Sequence, residues 1–356
     1  MDKASKPAVA LLFGGRGCEH DVSVSGAKFF FPLIDEKNYT KIPVFISRLG
    51  EWLIPADRKD GDSIEAIASG ELPLIPVTPA YRCGVGGLFA WGEFIPLCAA
   101  VPLLHGNFGE DGIVQGALEN AKIPYVGCDV SSGALISDKA YTKILAEKLG
   151  IPTVPWVLGI GEGELDIARE AAERAFGYPM FIKPARLGSS VGAARIGTKE
   201  KFATAYRKAA ELGGGRVLIE KHVKVSRELE CAYFKDKSKE LFTGIGEIAY
   251  NGGFYDYKSK YGRDSCADVS DTSDLPLPIT EKILAYARAL IRYLGIRDLS
   301  RIDFFLTEDG ELLFNEINSF PGFTGASLYP RLLEGCGIPP RELVCRLIET
   351  ARARGC

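Results

Sequence analysis

The stretch that most limits the fold lies near the start: residues 8–13 (AVALLF) form a short apolar run that stops at Gly14-Gly15-Arg16-Gly17, and a helical pattern follows from about Val22. An apolar run of that length without polar alternation reads as a strand covered on both faces, and glycines supply the tight turn into a helix. Apolar segments at 41–47 (KIPVFIS) and 97–104 (LCAAVPLL) repeat the theme, the second running into His105. Strands alternating with helices over roughly the first 130 residues predict a doubly wound α/β unit.

Beyond it the pattern becomes α+β. An amphipathic helix over 138–149 is stopped by Gly150 and Pro152; strands at 179–183, 191–196 and 217–221 surround a helix at 199–212. Further strands are predicted at 229–234, 241–249, 300–306 and 311–317, with a long helix at 280–294. At roughly 150 residues per domain, the 356 residues suit two or three units; borders near 138 and 228 give 1–138, 139–228 and 229–356. The stretch 251–278 has no periodicity and carries Tyr255, Tyr257, Lys260 and Tyr261 among glycines. A loop of that length is commonly a functional lid.

Lys and Arg number 43 against 46 Asp and Glu, a net charge of −3, which excludes a general nucleic-acid or membrane-surface footprint. An anionic partner must therefore be held by local geometry. Forty glycines exceed the usual roughly 7% and suggest close backbone approach to something. Nine cysteines without a C-x-x-C pair give no zinc or iron–sulfur pattern and, in a chain this long, no disulfide framework. No window nears the roughly 20 apolar residues of a membrane span, and the initial apolar run is too short for a secretory signal, so a reduced cytoplasm is expected.

Several groups of residues could carry chemistry. Asp303, Glu316 and Asn318 fall on two strands joined by a turn at Asp309-Gly310. Residues two apart share a strand face, so Glu316 and Asn318 project together and Asp303 can face them. Hard oxygen ligands so placed suit Mg²⁺; a solvated sheet face would also hold them, but Ile302, Phe304, Phe305, Phe314 and Ile317 make these strands too apolar for that. Lys183 ends an apolar strand before the turn Leu187-Gly188-Ser189-Ser190-Val191-Gly192, a placement open to phosphate or to a surface lysine before a hairpin. No Walker A loop occurs. His105 begins HGNFGEDG (105–112) at a strand's carboxyl end, where open α/β sheets bind ligands, a placement open also to a structural histidine capping the loop, and Glu19 sits at another strand-to-helix junction, either as helix-start chemistry or facing a ligand amine.

Together these segments resemble the D-alanine–D-alanine ligases of the ATP-grasp superfamily. The likeness runs over nearly the whole chain: the glycine turn with Glu19, HGNFGEDG at 105–112, Asp138-Lys139, FIKPARLGSSVG at 181–192, FYDYKSKY at 254–261, RIDFF at 301–305 and NEINSFPGFT at 315–324. It implies an ATP-grasp fold behind the N-terminal α/β domain. It implies ATP held by Lys139, Lys183 and Lys260, an adenine edge read at Glu220, Lys221 and Val223, a ribose contact at Glu228, and nucleotide contacts from Phe305 and Asn315. Asp303, Glu316 and Asn318 match metal ligands, for about two Mg²⁺ or Mn²⁺ ions. Glu19 matches the carboxylate that receives the first D-alanine's ammonium, with Val22 and His105 near that substrate. Arg301, Gly322 and Ser327 match positions for the second substrate or the tetrahedral intermediate, with Leu328 on the pocket wall. Ser189 matches a serine held against Glu19 and the loop tyrosine, here Tyr261.

The implied reaction makes an acyl phosphate from the first D-alanine and the γ-phosphate of ATP, which the second D-alanine's amine then attacks. Arg301 and the Gly322 N–H are expected to act as an oxyanion hole, and the 251–278 segment to close over the intermediate. Lys260-Tyr261 and Leu328 resemble the D-alanine type, and a D-alanine–D-serine ligase is the alternative. The resemblance also implies small-molecule partners only and a homodimer.

Overall fold

The computed structural model of the protein describes residues 6–57, 63–250, 267–270 and 274–355. Its first sheet runs Leu74–Pro76, Trp52–Pro55, Thr40–Ile46, Ala8–Gly14, Ala99–Pro102, with Ala8–Gly14 parallel to both neighbours and the outer two strands antiparallel. Val9 to Phe13 are wholly buried, as the uninterrupted apolar run requires. Their side chains alternate between two layers. Val9, Leu11 and Phe13 join Phe30 on one face, whereas Ala10 and Leu12 join Val114 and Leu118 on the other.

The predicted first helix spans His20–Phe30, and the glycine turn before it has φ of 92° at Gly14 and 101° at Gly15. A side chain is strained there. At Gly14 a Cβ would also run into the Ile46 carbonyl.

A second sheet is antiparallel throughout: Ala194–Ile196, Met180–Pro184, Arg216–Lys221, Trp156–Ile160, backed by the helices Leu165–Ala175 and Phe202–Leu212. The third runs Ala267–Ser270, Glu240–Tyr250, Val225–Lys235, Leu299–Thr307, Leu312–Asn318, and the helix Leu277–Leu294 buries Ile283, Ala287, Leu290 and Leu294 against it. The predicted loop at 251–278 is therefore interrupted: it contains the strand Ala267–Ser270 and ends in the first turn of a helix that opens with proline. Lys260 and Tyr261 lie outside the described residues.

Unforeseen is a small sheet of Thr78–Arg82, Val85–Ala90 and Glu93–Pro96. Its hairpins turn on Cys83-Gly84 and Trp91-Gly92, both residues of each pair at positive φ. That backbone suits a two-residue hairpin, but cysteine and tryptophan hide the turn from a reader looking for Asn-Gly.

The last two helices, Leu328–Gly335 and Pro340–Arg354, return to the first sheet, where Leu332, Leu347 and Ile348 share a core with Val9 and Leu11. One buried carboxylate fixes this return. Asp298, at φ 64°, takes both Arg354 guanidinium nitrogens at 2.6 and 2.9 Å and the Gly127 N–H at 2.8 Å. Arg354 also donates to the Tyr125 carbonyl and Arg297 to that of Gly127. Asp298 is only 2% exposed, so removing its cation leaves a buried charge half-answered, a defect that costs about 3 kcal/mol. Arg354→Met should lower the stability found by urea unfolding by about that amount. Unchanged stability would show the clamp to be dispensable.

Candidate active site

A cavity of about 490 Å³ opens where the first and third sheets meet the loop after Met180–Pro184. Of the residues singled out from sequence, Glu19, Val22, His105, Lys139, Ser189, Arg301, Glu316, Asn318, Gly322, Ser327 and Leu328 line it.

At one end stands Glu19, immediately before the helix His20–Phe30. The turn is locked by Ser23, which receives the Gly14 N–H at 2.9 Å and donates to the Leu103 carbonyl at 2.5 Å. Ser189 donates a short hydrogen bond to Glu19 Oε1, the contact expected of that serine. Gly106 and Gly188 press on the same carboxylate: a Cβ on Gly106 would collide with Oε2, and one on Gly188 would lie 3.2 Å from it. The glycine surplus thus has a use here. Glu19 is 6% exposed, and its Oε2 and the buried Nε2 of His105 have no hydrogen-bond partner among the described residues. Burial pushes the Glu19 carboxyl above its ordinary range, against the opposing pull of His105, Ser189 and Lys139. A substrate ammonium would answer that buried charge.

Glu110 belongs to the HGNFGEDG motif but was not singled out. Its Oε2 accepts the Gly106 N–H at 2.8 Å, and its Oε1 accepts Ser319 Oγ at 2.9 Å and the Phe320 N–H at 3.0 Å. It ties the His105 loop to the loop that carries Gly322. Sequence offered no signal for partners so distant along the chain.

At the other end Asp303 pairs in register with Glu316, and Arg301 with Asn318. Asn318 Nδ2 donates to Asp303 Oδ2 at 2.9 Å, so the three expected metal ligands do converge. Arg301 grips Asp303 through two 2.8 Å bonds and pairs with Glu230 at 3.0 Å; Lys139 meets Glu316 at 3.2 Å and the Leu187 carbonyl at 2.7 Å. Burial opposes the charge of Arg301, but Asp303 and Glu230 outweigh it and hold the guanidinium far above its ordinary value. Among the described residues no three His, Cys, Asp or Glu side chains form a metal cluster. The set here is two carboxylates and an amide, a donor chemistry that fits a hard divalent cation. Arg301, which was expected at the oxyanion, is committed to carboxylates in this structure.

Nearby, Ser327 Oγ accepts the Thr324 N–H at 3.0 Å and lies where a Cβ on Gly322 would approach it to 3.3 Å. Leu328 packs so closely on Gly246 that a Cβ there would lie 2.6 Å from it.

The remaining candidates do not line this cavity. Lys183 and Glu220 occupy adjacent strands of the second sheet and pair at 2.7 Å, while the other oxygen of Glu220 meets Lys143 at 2.8 Å. Burial alone would raise Glu220, but the two lysines outweigh it and hold the carboxyl down at about 2. Burial likewise draws the Lys143 ammonium down, against the upward pull of Glu220. Lys143 was overlooked, though it stands one helical turn from Lys139 on Lys139–Lys148. Lys221 ends the strand Arg216–Lys221, Val223 follows in the connection to Val225–Lys235, and Glu228 on that strand registers with Phe305. Asn315 precedes Glu316 on Leu312–Asn318.

Comparison with known proteins identifies the family and the fold. Residues 8–128 match the family described as D-ala D-ala ligase N-terminus and residues 145–349 that described as D-ala D-ala ligase C-terminus. A D-alanine–D-alanine ligase of Treponema pallidum (strain Nichols) is 37% identical over 97% of this chain and 88% of its own. Among solved structures, the VanG D-Ala:D-Ser ligase of Enterococcus faecalis superposes with a TM-score of 0.84 at 31% identity, covering 98% of this chain and 100% of its own. The D-alanine–D-alanine ligase of Coxiella burnetii gives 0.82 at 28% identity, over 99% and 95%. The fold is the ATP-grasp fold that the sequence suggested, and the chain belongs to the D-alanine–D-alanine ligase family.

Proposed function

We propose that this chain joins two D-alanines, using ATP, with Glu19 receiving the first substrate's ammonium and the Glu316–Asn318 end of the same cavity, with Asp303 against Asn318, managing phosphoryl charge. The observation that carries the reading is the juxtaposition: an incompletely satisfied buried carboxylate, cradled by Ser189, Gly106 and Gly188, in one cavity with Lys139, Arg301, Glu316 and Asn318. An ammonium on Glu19 leaves the substrate's carboxylate pointing away, toward the cationic side chains. That carboxylate attacks the γ-phosphate of ATP, breaking its bond to the β-phosphate oxygen, to give D-alanyl phosphate and ADP, and the second D-alanine's amine then attacks the acyl carbon, losing a proton as phosphate leaves. Asp303, Glu316 and Asn318 would hold Mg²⁺ or Mn²⁺, which neutralises phosphoryl oxygens when bound. Lys139 and Lys183 add positive charge on the phosphate side. Gly322, Ser327 and Arg301 border the place where the second substrate reacts.

Supporting D-alanine as the second substrate is the apolar wall at Leu328, which offers a serine hydroxyl no partner. An apolar wall also rejects an added hydroxyl weakly, and the likeness to a D-Ala:D-Ser ligase keeps D-serine as the second reading. A border at 138 is supported by the helix start at Lys139; the change of sheet falls between Lys221 and Val225, just before the border at 228, which lies within the strand Val225–Lys235, and the last two helices pack back on the first sheet. No helix among the described residues is long and apolar enough to cross a membrane. The family likeness supports a cytoplasmic homodimer.

Phosphate release is the direct test, measured with ATP and Mg²⁺ and with D-alanine alone, D-alanine plus D-serine, or D-alanine plus D-lactate. Dipeptide from D-alanine alone is expected, and its absence would overturn the reading. Asp303→Ala should lower turnover beyond the roughly 10–100-fold cost of losing an outer-shell partner, with the circular dichroism spectrum unchanged; near-normal turnover would remove Asp303 from the metal site.

The pH dependence follows from Glu19. Its carboxyl is raised, so it takes up a proton at higher pH than an ordinary glutamate and loses its grip on an ammonium as pH falls. The acid limb of kcat/KM for the first D-alanine should lie above the roughly 4.3 of an unperturbed glutamate and change in Glu19→Gln. An acid limb at or below that value would contradict the assignment.

A further inference from the structure

Lys143 lies outside every motif that marks the site, yet its side chain is fully buried. It stands one turn beyond Lys139, so the two ammonium groups leave the same face of one helix in different directions. Lys139 goes to Glu316 and Lys143 to Glu220. Glu220 is shared: Oε1 lies 2.8 Å from Lys143 and Oε2 2.7 Å from Lys183. Side-chain exposure falls from 16% at Lys183 to 6% at Glu220 and 0% at Lys143, so Lys183 is the member of the trio that reaches the open side.

The charges do not need to be arranged this way for stability. Lys183 alone would neutralise Glu220, and an apolar side chain could fill the space of Lys143, whose one further hydrogen bond among the described residues is to the Val154 carbonyl at 3.2 Å. A second buried ammonium is costly unless its charge is used. With Lys143 the trio carries +1. Without it, Glu220 and Lys183 would form a closed neutral pair.

We propose that Lys143 is a positioning residue for the nucleotide: it neutralises Glu220 from behind, and so leaves the charge of Lys183 available to the phosphates of ATP. The inference rests on the reading of Lys183 as a phosphate-binding lysine. It is separate from any contact to the base, because Lys143 itself is sealed from the ligand.

The readout is the preference for ADP over adenosine, obtained from calorimetric binding of each with Mg²⁺ to the full chain. A purely structural role would weaken both ligands together and leave that ratio in place. Lys143→Met should lower the ratio by about tenfold or more, and Lys183→Met should lower it as well. In the double variant Lys143→Met/Glu220→Gln, Lys183 again carries an unopposed charge, and the ratio should return to within roughly threefold of the parent. If Lys183→Met leaves the ratio unchanged, the phosphate reading of Lys183 fails and the inference with it. If Lys183→Met lowers the ratio but Lys143→Met does not, the inference alone is overturned. Should Lys143→Met fold poorly, the double variant decides: a ratio as low as that of Lys183→Met overturns the proposal.

Discussion

Holding carboxylates out of water is the constraint on which this site depends. A buried carboxylate is tolerated only when a cation or a set of N–H groups answers it, and here the answers come from many parts of the chain. Arg301 serves Asp303 and Glu230, Lys139 serves Glu316, and Lys143 with Lys183 serves Glu220. Asp138, 1% exposed, takes Arg186 at 2.9 Å and Arg216 at 2.6 Å while capping the helix that carries both Lys139 and Lys143. The Arg301 pairs lie within the third sheet and Lys183–Glu220 within the second, whereas Lys139 and Lys143 tie one helix to both sheets, so the interactions that keep the charges buried also hold the sheets beside that helix. Glu19 is the exception. It has a serine and two crowding glycines but no ion pair among the described residues, which makes it the place where an incoming cation gains most.

Much of this could be read from sequence because it is local. A glycine turn between an apolar run and a helix fixes Glu19 at a strand's carboxyl end, and the two-residue period of a strand puts Glu316 and Asn318 on one face. The turn at Asp309-Gly310 makes the two strands neighbours, but a register shift between Asp303 and Phe304, invisible in sequence, sets Asp303 opposite Glu316 instead of Asn315. What escaped depends on distant partners or on weak patterns. Glu110 was visible as a motif letter, yet its role is set by Ser319 and Phe320. Lys143 looked like any helical lysine until Glu220 was placed beside it. The helix Leu165–Ala175 buries one leucine and two alanines, Leu165, Ala168 and Ala172, and the strands Thr78–Arg82 and Glu93–Pro96 are only five and four residues long. The loop expected to cover the nucleotide, with Lys260 and Tyr261, lies outside the described residues apart from the strand and helix at its end.

Arg301 shows how one side chain can belong to two charge states of the site. In this structure it forms a bidentate pair with a carboxylate assigned to metal. Such a pair is strong, but it is also a counter-charge that a divalent cation can supply instead. Lys139 stands in the same relation to Glu316. Lys139 and Arg301, the latter still held by Glu230, would then turn toward phosphate or a developing oxyanion, which reconciles the observed pairing with the role expected of Arg301.

The pocket wall carries a different constraint. Leu328 faces the cavity and also belongs to the core that the first sheet shares with the last two helices. It rests directly on Gly246, where no Cβ could be added without moving it. A polar side chain in place of Leu328 would therefore have to fit against the Gly246 backbone while facing the cavity. The chemistry of this part of the wall is in that sense tied to the packing of the third sheet against the helix that begins at Leu328, and changing it would require compensating change on the Glu240–Tyr250 strand as well as in the pocket.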